Sequence, residues 1–205
     1  MQNQLHNQII DKDDLGEIQS VSGTDIRFKG NLACASIVVL RYPDLEPVDL
    51  AVAETTASFP YIPGLLSFRE TPLLLEAVKK LRTEPDLIIA DGHELAHPRR
   101  FGIAYHLGLI LDKPAIGCAK SRLCGNYSKP SNRKGAFKYI RDKGEIIGAV
   151  LRSRSNVNVV YVSVGHRVSL DTAIELTLSC CKQYKIPETT RYAHKAASGE
   201  SVSMI

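Results

Sequence analysis

The sequence of 205 residues lacks the features that define several large classes of protein. Its five cysteines form no CxxC pair and no zinc-ligand spacing, and their odd number argues against a complete disulfide framework. No apolar run approaches the length of a membrane-spanning helix. The N-terminus, MQNQLHNQIIDKDDLGEIQ, is polar and acidic, unlike a signal peptide. These absences favour a cytoplasmic protein that has no membrane partner.

The chain also lacks a large excess of either positive or negative charge. The chain has 26 Lys and Arg residues against 22 Asp and Glu residues, for a formal net charge of +4. So small an excess is compatible with a polyanionic partner but does not require one. The length suits one domain, and the hydrophobic content of 44% is ordinary for a globular core. We therefore expect a single domain over residues 1–205, with residues 1–20 as a polar N-terminal arm.

The sequence does contain a clear change of pattern along the chain. Three strand candidates, VSGTDIRF, LACASIVVLRY and VDLAVAETTASF, are joined by short turns, which favours an antiparallel meander. The helix candidate TPLLLEAVKKLRTEPD follows, and then short apolar strands alternate with helical segments, which indicates parallel strands with helical crossovers. The pattern predicts an α/β fold, a mixed sheet (antiparallel meander plus parallel strands) with helices on both faces.

The later part of the chain is less regular. The basic, polar stretch 121–144 is expected to form a long loop. The segments EIIGAVLRS and VNVVYVSVG resemble a late hairpin. The segment SLDTAIELTLSCCKQY is predicted to be a helix capped by Ser169.

Acidic residues stand where predicted elements begin or end. Asp25 lies in the first strand candidate, Asp91 follows the apolar strand LIIA, and Glu70 stands where an apolar loop meets its helix. If the first and fourth strands are neighbours, Asp25 and Asp91 could share a hard cation such as Mg2+, which prefers oxygen ligands. On spacing alone, ordinary strand-end and helix-start carboxylates are the commoner explanation, because such short motifs recur by chance.

Two basic groups are expected near the same edge of the sheet. The segment HPRR, from His97 to Arg100, is predicted to begin a helix and could hold phosphate through backbone amides and guanidinium groups. A plain helix start with Pro98 at the first helical position is equally compatible with it. Lys120, Ser121 and Arg122 follow the strand PAIGCA and form the second group.

The stretch PYIPGLLSFRE, residues 60–70, combines rigidity with apolar character. Pro60 and Pro63 flank Tyr61 and Ile62, and Gly64 follows. One interpretation is a buried turn that leads into a helix. The other is a stiff wedge that enters a stack of bases.

Together these segments resemble endonuclease V, a family of deoxyinosine-directed repair nucleases. The resemblance runs from about Val21 through PETTRYAH, and PYIPGLLSFRE with the following IIADGHELAHPRRFG and GCAKSRLCG is its most specific part. It implies an RNase H-like fold, dependence on Mg2+ (with Mn2+ as a substitute), and hydrolysis of the second phosphodiester 3′ to a deaminated purine, which leaves a 3′-OH and a 5′-phosphate. The implied partner is DNA that contains deoxyinosine, and we expect the enzyme to be a monomer.

The resemblance also assigns roles to individual residues of this chain. The metal ligands would be Asp25 and Asp91. The other catalytic residues would be Glu70, Lys120 and His194. The wedge would be Pro60, Tyr61, Ile62 and Pro63, with Tyr61 as its tip. The base pocket would be formed by Gly64, Leu66, Gly92, Ile103, Gly117 and Leu123. His97 would lie close to the cleaved strand. Apart from the resemblance, the two basic groups lead us to expect phosphate contacts from Arg100 and Arg122.

The sequence departs from the family pattern just after Asp91. The family usually has Asp-Gly-x-Gly there, whereas this chain has Asp-Gly-His-Glu, so Glu94 stands in the place of a glycine. We expect its carboxylate to face the base pocket, with a solvent-facing side chain as the alternative. Other functions also remain open: an inosine-specific endoribonuclease, a catalytically inactive nucleic-acid-binding RNase H-like module, and an RNase H-like nuclease that recognises junctions.

Overall fold

A computed structural model of the protein describes residue 5 and residues 8–204. Among these residues the chain forms one eight-stranded sheet and four helices. The strands are β1 (Ser20–Lys29), β2 (Leu32–Arg41), β3 (Pro47–Thr56), β4 (Leu87–Ala90), β5 (Ala115–Ala119), β6 (Phe137–Asp142), β7 (Glu145–Leu151) and β8 (Val160–His166). The helices are α1 (Leu66–Val78), α2 (Ile103–Leu111), α3 (Leu170–Ser179) and α4 (Glu188–Ala197).

The sheet is mixed, as the sequence predicts. Its strand order is β3-β2-β1-β4-β5-β8-β7-β6. The central strands β1, β4 and β5 are parallel, while β1–β2–β3 and β5–β8–β7–β6 pair antiparallel. Thr24 of β1 is aligned with Ala90 of β4. The next residues along the chain, Asp25 and Asp91, therefore lie side by side, so the first and fourth strands are neighbours, which was the condition for a shared cation.

Helices cover both faces of the sheet, because successive side chains of a strand point to opposite faces. In β2, Ile37 packs in a cluster with Ala77 of α1, whereas Val38 packs in the cluster that contains Ala193 of α4. Helix α2 joins α1 on the first face, and α3 joins α4 on the second. The predicted two-sided arrangement is confirmed.

Gly23 allows α4 to approach β1 closely. A Cβ atom at this position would lie 2.2 Å from the backbone carbonyl carbon and oxygen of Thr189 in α4, so no larger residue fits. Ser36 of β2 reinforces the contact by donating a hydrogen bond to the Ala193 carbonyl at 2.7 Å. This packing brings the last turn of α4 over the face of β1 that carries Asp25.

Two expectations about the loops are wrong. The stretch 121–144 is not a continuous loop, because Phe137–Asp142 forms β6 at the edge of the sheet. In β6 only Ile140 is buried, so the strand has almost no apolar alternation by which it could be recognised. Helix α1 begins at Leu66 rather than near Pro72, which places Glu70 inside the helix.

The expected helix start at HPRR is also wrong. Residues 97–100 form turns, and α2 begins only at Ile103, with Gly102 as its N-cap in an extended conformation. Pro98 therefore does not occupy a first helical position. The predicted cap of α3 is confirmed, because Ser169 Oγ accepts a hydrogen bond from the Thr172 backbone N–H. Helix α4 was not predicted at all.

The polar N-terminal arm is anchored to the domain within its described residues. Asp13 accepts hydrogen bonds from the backbone N–H and the hydroxyl of Ser169 at 2.7 and 3.0 Å. Ile9 and Leu15 pack against the main core. Residues 1–4, 6 and 7 of the predicted arm lie outside the described part of the chain. In the described part, no helix is long and apolar enough to cross a membrane.

Candidate active site

Acidic side chains from three elements meet at the carboxyl edge of the central strands. Asp25 projects from β1, Asp91 follows β4, and Glu70 lies on the second turn of α1. Each aspartate contacts a basic partner: Asp25 Oδ2 lies 3.0 Å from His194 Nδ1, and Asp91 Oδ2 lies 2.7 Å from Lys120 Nζ. The structure thus brings together all five side chains that the resemblance marks as catalytic.

Burial and mutual repulsion control the ionisation of this cluster. Burial, together with the negative charges of Asp25 and Asp91, raises the pKa of Glu70 to about 7. The pKa of Asp25 is also raised by burial, although the hydrogen bond from His194 opposes the shift. Burial disfavours the Lys120 ammonium, but its hydrogen bond to Asp91 and the charges of both aspartates give it a raised pKa overall. Lys120 therefore stays protonated, and Glu70 can gain or lose a proton near neutral pH.

The donor set suits a hard cation. Asp25 and Asp91 supply carboxylate oxygens side by side, which is the ligand chemistry of Mg2+. Burial is the main cause of the raised pKa of Glu70, and the negative charges of Asp25 and Asp91 add to it, so a cation would offset part of the shift. Within residue 5 and residues 8–204, no three Asp, Glu, His or Cys side chains are already arranged as a ligand set. The fit is therefore one of chemistry and charge.

A cavity of about 740 Å3 opens next to the acidic cluster. Glu70, Asp91 and Lys120 lie on its wall, and so do Tyr61 and Leu123. Of the other residues predicted for the wedge and the base pocket, the cavity is lined by Ile62, Pro63, Gly64, Leu66, Gly92 and Ile103. Its size and mostly apolar lining suit a flat organic ring such as a nucleobase.

The segment 60–63 projects into solvent at the rim of this cavity. Tyr61 is 68% exposed, and Pro60, Ile62 and Pro63 are also exposed. The base of the loop is held by Arg69, which donates a hydrogen bond to the Phe59 carbonyl at 2.6 Å. A buried turn would show the opposite pattern, so that interpretation of PYIP is wrong.

Glycines allow close packing at the wall of the cavity and behind it. A Cβ atom on Gly92 would lie 2.8 Å from both Glu94 Oε1 and Ile103 Cγ2. Gly117 does not line the cavity; it lies behind Gly92, where a Cβ atom would meet the Gly92 carbonyl oxygen at 2.8 Å. Gly64 adopts a φ of +81°, which favours glycine at the foot of the exposed loop.

The three residues predicted to contact phosphate or the cleaved strand have different positions. His97 lines the cavity, and its Nδ1 accepts the Arg99 backbone N–H at 3.1 Å. Burial and the nearby positive charge of Arg99 lower the pKa of His97, so its ring is neutral at pH 7. Arg122 is exposed at the far side of Lys120.

Arg100 is engaged within the fold. Its guanidinium lies 2.7 Å from Asp142 Oδ2 and 3.6 Å from Glu145 Oε2, and it also donates to the Leu95 carbonyl. These contacts tie the segment after β4 to the β6–β7 hairpin. They give Arg100 a structural role, and we do not assign it a contact with nucleic acid.

Glu94 occupies neither of the two expected positions. Its side chain is completely buried, and Oε2 accepts the Tyr105 backbone N–H at 3.0 Å at the start of α2. Helix α2 has no capping side chain at Gly102, so the Glu94 carboxylate takes over that function from the preceding loop. Burial raises the pKa of Glu94 to about 7 against the opposing effect of the backbone N–H groups of Tyr105, Ala104 and Gly102. The expectation that this carboxylate faces the base pocket is therefore wrong.

Four further residues line the cavity: His93, Arg99, Phe101 and Ser121. Arg99 and Ser121 belong to the two predicted basic groups, whereas His93 and Phe101 were not assigned a role from the sequence. All of them lie within or next to the motif segments ADGHELAHPRRFG and AKSRL, so proximity to those motifs was the available signal.

Comparison with known proteins identifies relatives along nearly the whole chain. Residues 3–195 match the family model described as Endonuclease V. An Endonuclease V from Roseiflexus sp. (strain RS-1) is 50% identical over 198 residues, which cover 97% of this chain and 89% of that protein. The crystal structure of Endonuclease V from Streptomyces avermitilis superimposes with a TM-score of 0.92 at 39% identity, covering 97% of this chain and 89% of that one. These matches confirm the RNase H-like fold.

A third match is the structure of a complex with DNA. Endonuclease V of Ciona intestinalis, in complex with a 23mer DNA containing an inosine followed by a ribo-adenosine, superimposes with a TM-score of 0.81 at 28% identity. The match covers 97% of this chain and 92% of that one.

Proposed function

This chain belongs to the Endonuclease V family of nucleases, and from that premise we propose that it is a DNA repair endonuclease that recognises deoxyinosine and cuts the second phosphodiester 3′ to it. One observation carries the proposal: a single cavity joins an exposed, proline-flanked tyrosine to the Asp91–Lys120 pair and Glu70. An enzyme that examines one base and cuts nearby needs both parts within reach of each other. The relative from Ciona intestinalis, which binds inosine-containing DNA, supports the choice of substrate.

Base recognition would take place in the cavity. A base that leaves the duplex enters between Leu123 and Ile103, and the absence of a side chain at Gly92 lets its edge approach the protein backbone. Tyr61 fills the vacated space in the stack and so offsets part of the cost of extrusion. We expect the enzyme to act as a monomer.

Hydrolysis would take place at the acidic cluster. A water oxygen forms a bond to phosphorus, the P–O3′ bond breaks, and a proton passes to the departing O3′. Lys120, fixed by Asp91, balances negative charge on the phosphate. Glu70, with a pKa of about 7, can hold or release a proton during this exchange, and Asp25 orients the His194 ring. Mg2+ between Asp25 and Asp91 would supply further charge neutralisation and a more acidic water, and Mn2+ should substitute for it.

The experiment uses end-labelled duplexes that are identical except for one deoxyinosine or deoxyadenosine. With Mg2+, we expect a single cut in the inosine strand, directly 3′ to the nucleotide that follows the inosine, with a 3′-OH end. Uncut inosine DNA, or equal cutting of the adenosine control, would overturn the proposal. A matched RNA strand run in parallel decides between this function and that of an inosine-specific endoribonuclease. The catalytically inactive alternative predicts binding without any cut.

A further inference from the structure

A second cavity with a strongly basic lining adjoins the active site. It has a volume of about 640 Å3 and shares Lys120 and Ser121 with the first cavity. Its other basic residues are Arg122, Lys129, Arg152 and Lys185, and none of the described residues that line it is acidic. We call it the basic groove.

Apart from Lys120, which pairs with Asp91, the basic residues of the groove have no acidic partner in the described structure. The sequence between Asp112 and Asp142 contains eight Lys or Arg residues and no Asp or Glu. In the described structure, Lys129 and Lys185 make no ion pair, and the Arg122 guanidinium contacts only the Gly125 carbonyl, at 3.3 Å. Arg100, by contrast, lies against Asp142 at 2.7 Å. Unpaired cations around a concave surface favour an anionic ligand.

The walls of the groove are rigid. Arg152 is buried, and its guanidinium donates hydrogen bonds to the carbonyls of Ser131 and Val157. The hydroxyls of Tyr127 and Tyr161 lie 2.8 Å apart. Burial and the Tyr127 hydroxyl raise the pKa of Tyr161 to about 12, so the Tyr161 hydroxyl adds no negative charge. The groove therefore has one fixed positive charge, that of Arg152, beside the side chains of Lys129 and Lys185.

The position of the groove indicates which part of the substrate it would hold. Tyr61 and the base pocket lie in the first cavity, and the groove opens beyond Lys120. On the proposed function, the cut bond lies 3′ to the recognised base, and Lys120 lies at the cut. A strand that runs from the base pocket past Lys120 therefore continues into the groove with its 3′ flank.

We propose that the basic groove binds backbone phosphates of the substrate strand on the 3′ side of the cut, chiefly through Arg122, Lys129 and Lys185. This inference rests on the proposed function. Contacts of this kind do not depend on the base sequence, and they weaken as the salt concentration rises. The groove would thus position the cut strand, while the first cavity selects the base.

The test compares substrates of different flank length. Single-stranded oligonucleotides carry one deoxyinosine with a fixed 5′ flank and with 2, 4, 8 or 12 nucleotides beyond the cut. For the wild-type protein, kcat/KM should rise about tenfold as the 3′ flank grows and then level off. We compare the kcat/KM of the substrate with the longest 3′ flank with that of the substrate with the shortest. In the double variant Lys129→Ala/Lys185→Ala this ratio of kcat/KM values should fall to about twofold or less. A second series with a growing 5′ flank should give the same ratio in both proteins.

The matched control is Lys29→Ala/Lys80→Ala, which removes two exposed lysines that line neither cavity. It should keep the wild-type ratio, and a melting temperature for each variant checks the fold. The groove assignment would be overturned if Lys129→Ala/Lys185→Ala kept the wild-type dependence of kcat/KM on the 3′ flank. It would also be overturned if the variant lost the dependence on the 5′ flank to the same extent. Failure of the wild-type protein to cut any inosine substrate would instead overturn the proposed function, so the two failures are distinguishable.

Discussion

At the scale of single residues, the active site is a set of paired opposite charges. Asp91 holds Lys120 at 2.7 Å, and Asp25 holds His194 at 3.0 Å. Glu70, which has no such partner within the described structure, is the carboxyl group with a pKa raised to about 7. The two aspartates therefore each hold a basic side chain and are the expected ligands of a cation, while Glu70 remains available for proton transfer.

The variant Asp91→Asn tests this division of roles. It removes a carboxylate oxygen from the expected metal pair and the partner of Lys120, so we expect kcat to fall by more than about a hundredfold. Binding to inosine-containing DNA should persist, because the base pocket is unchanged. Cleavage assays and fluorescence anisotropy measure the two effects, with Asp171→Asn, an exposed aspartate on α3, as the control. Full activity of Asp91→Asn in Mg2+ would exclude the metal assignment.

Glu94 should make the folded state sensitive to pH. Burial raises its pKa from 4.5 to about 7, so the folded state binds this proton more tightly than the unfolded chain does. Stability is then greatest below pH 4.5 and declines as pH rises towards 7, by up to roughly 3 kcal/mol. Glu94→Gln keeps an oxygen for the Tyr105 N–H but cannot ionise, so this part of the decline should disappear.

Chemical denaturation at pH 5 and pH 8 measures the effect. The wild-type protein should lose more stability between the two pH values than Glu94→Gln does. Glu175→Gln, an exposed position on α3, should behave like the wild type. Parallel pH profiles for the wild type and Glu94→Gln would show that the carboxyl group is not buried in its neutral form.

At the scale of elements, the loop 60–63 acts as a preformed unit. Two prolines restrict its backbone, and Arg69 fixes its base through the Phe59 carbonyl. We expect Tyr61→Ala to weaken binding to inosine in duplex DNA by roughly 1–3 kcal/mol, the range for the loss of one aromatic stack. The loss should be smaller on single-stranded inosine DNA, where less unstacking needs to be offset.

The melting temperature of Tyr61→Ala should equal that of the wild type, since Tyr61 is 68% exposed. Phe137→Ala, which removes an exposed aromatic side chain of β6 outside both cavities, is the control and should affect neither affinity. An equal loss on duplex and single-stranded DNA would mean that Tyr61 contacts the substrate without acting as a wedge.

The elements also show what the sequence could and could not predict. The strand pattern alone left the pairing of Asp25 with Asp91 conditional, because α1 connects β3 rather than β1 to β4, and only the resemblance implied that the two aspartates lie together. Helix α4 was not predictable, since it buries small side chains such as Ala193 and Thr189 instead of an apolar stripe. The capping role of Glu94 depends on a contact with Tyr105 that forms only in the folded chain. The sequence therefore indicated the acidic residues of the candidate site better than it indicated the elements that hold them in place.

At the scale of the whole molecule, negative charge is concentrated at one point of a protein with a formal net charge of +4. Three carboxyl groups meet at the carboxyl edge of the central strands, while the basic groove lies beside them. Repulsion within the acidic cluster opposes folding, and a bound cation would relieve it. The function and the stability of the domain should therefore depend on the same ion.

We expect Mg2+ to raise the free energy of unfolding by about 2.7 kcal/mol when its concentration is about 100 times its Kd. Protons compete with the ion for the cluster, and the pKa of Glu70 is raised to about 7. The stabilisation should therefore be weak at pH 6 and stronger at pH 8, because ionised Glu70 adds negative charge near the ion. Thermal denaturation with Mg2+ or with EDTA at both pH values measures it. Asp91→Asn should lose most of the Mg2+ effect, whereas Asp171→Asn should retain it. An equal gain in all three proteins would place the ion elsewhere on the molecule, because only a site that contains Asp91 connects the loss of stabilisation to the loss of cleavage.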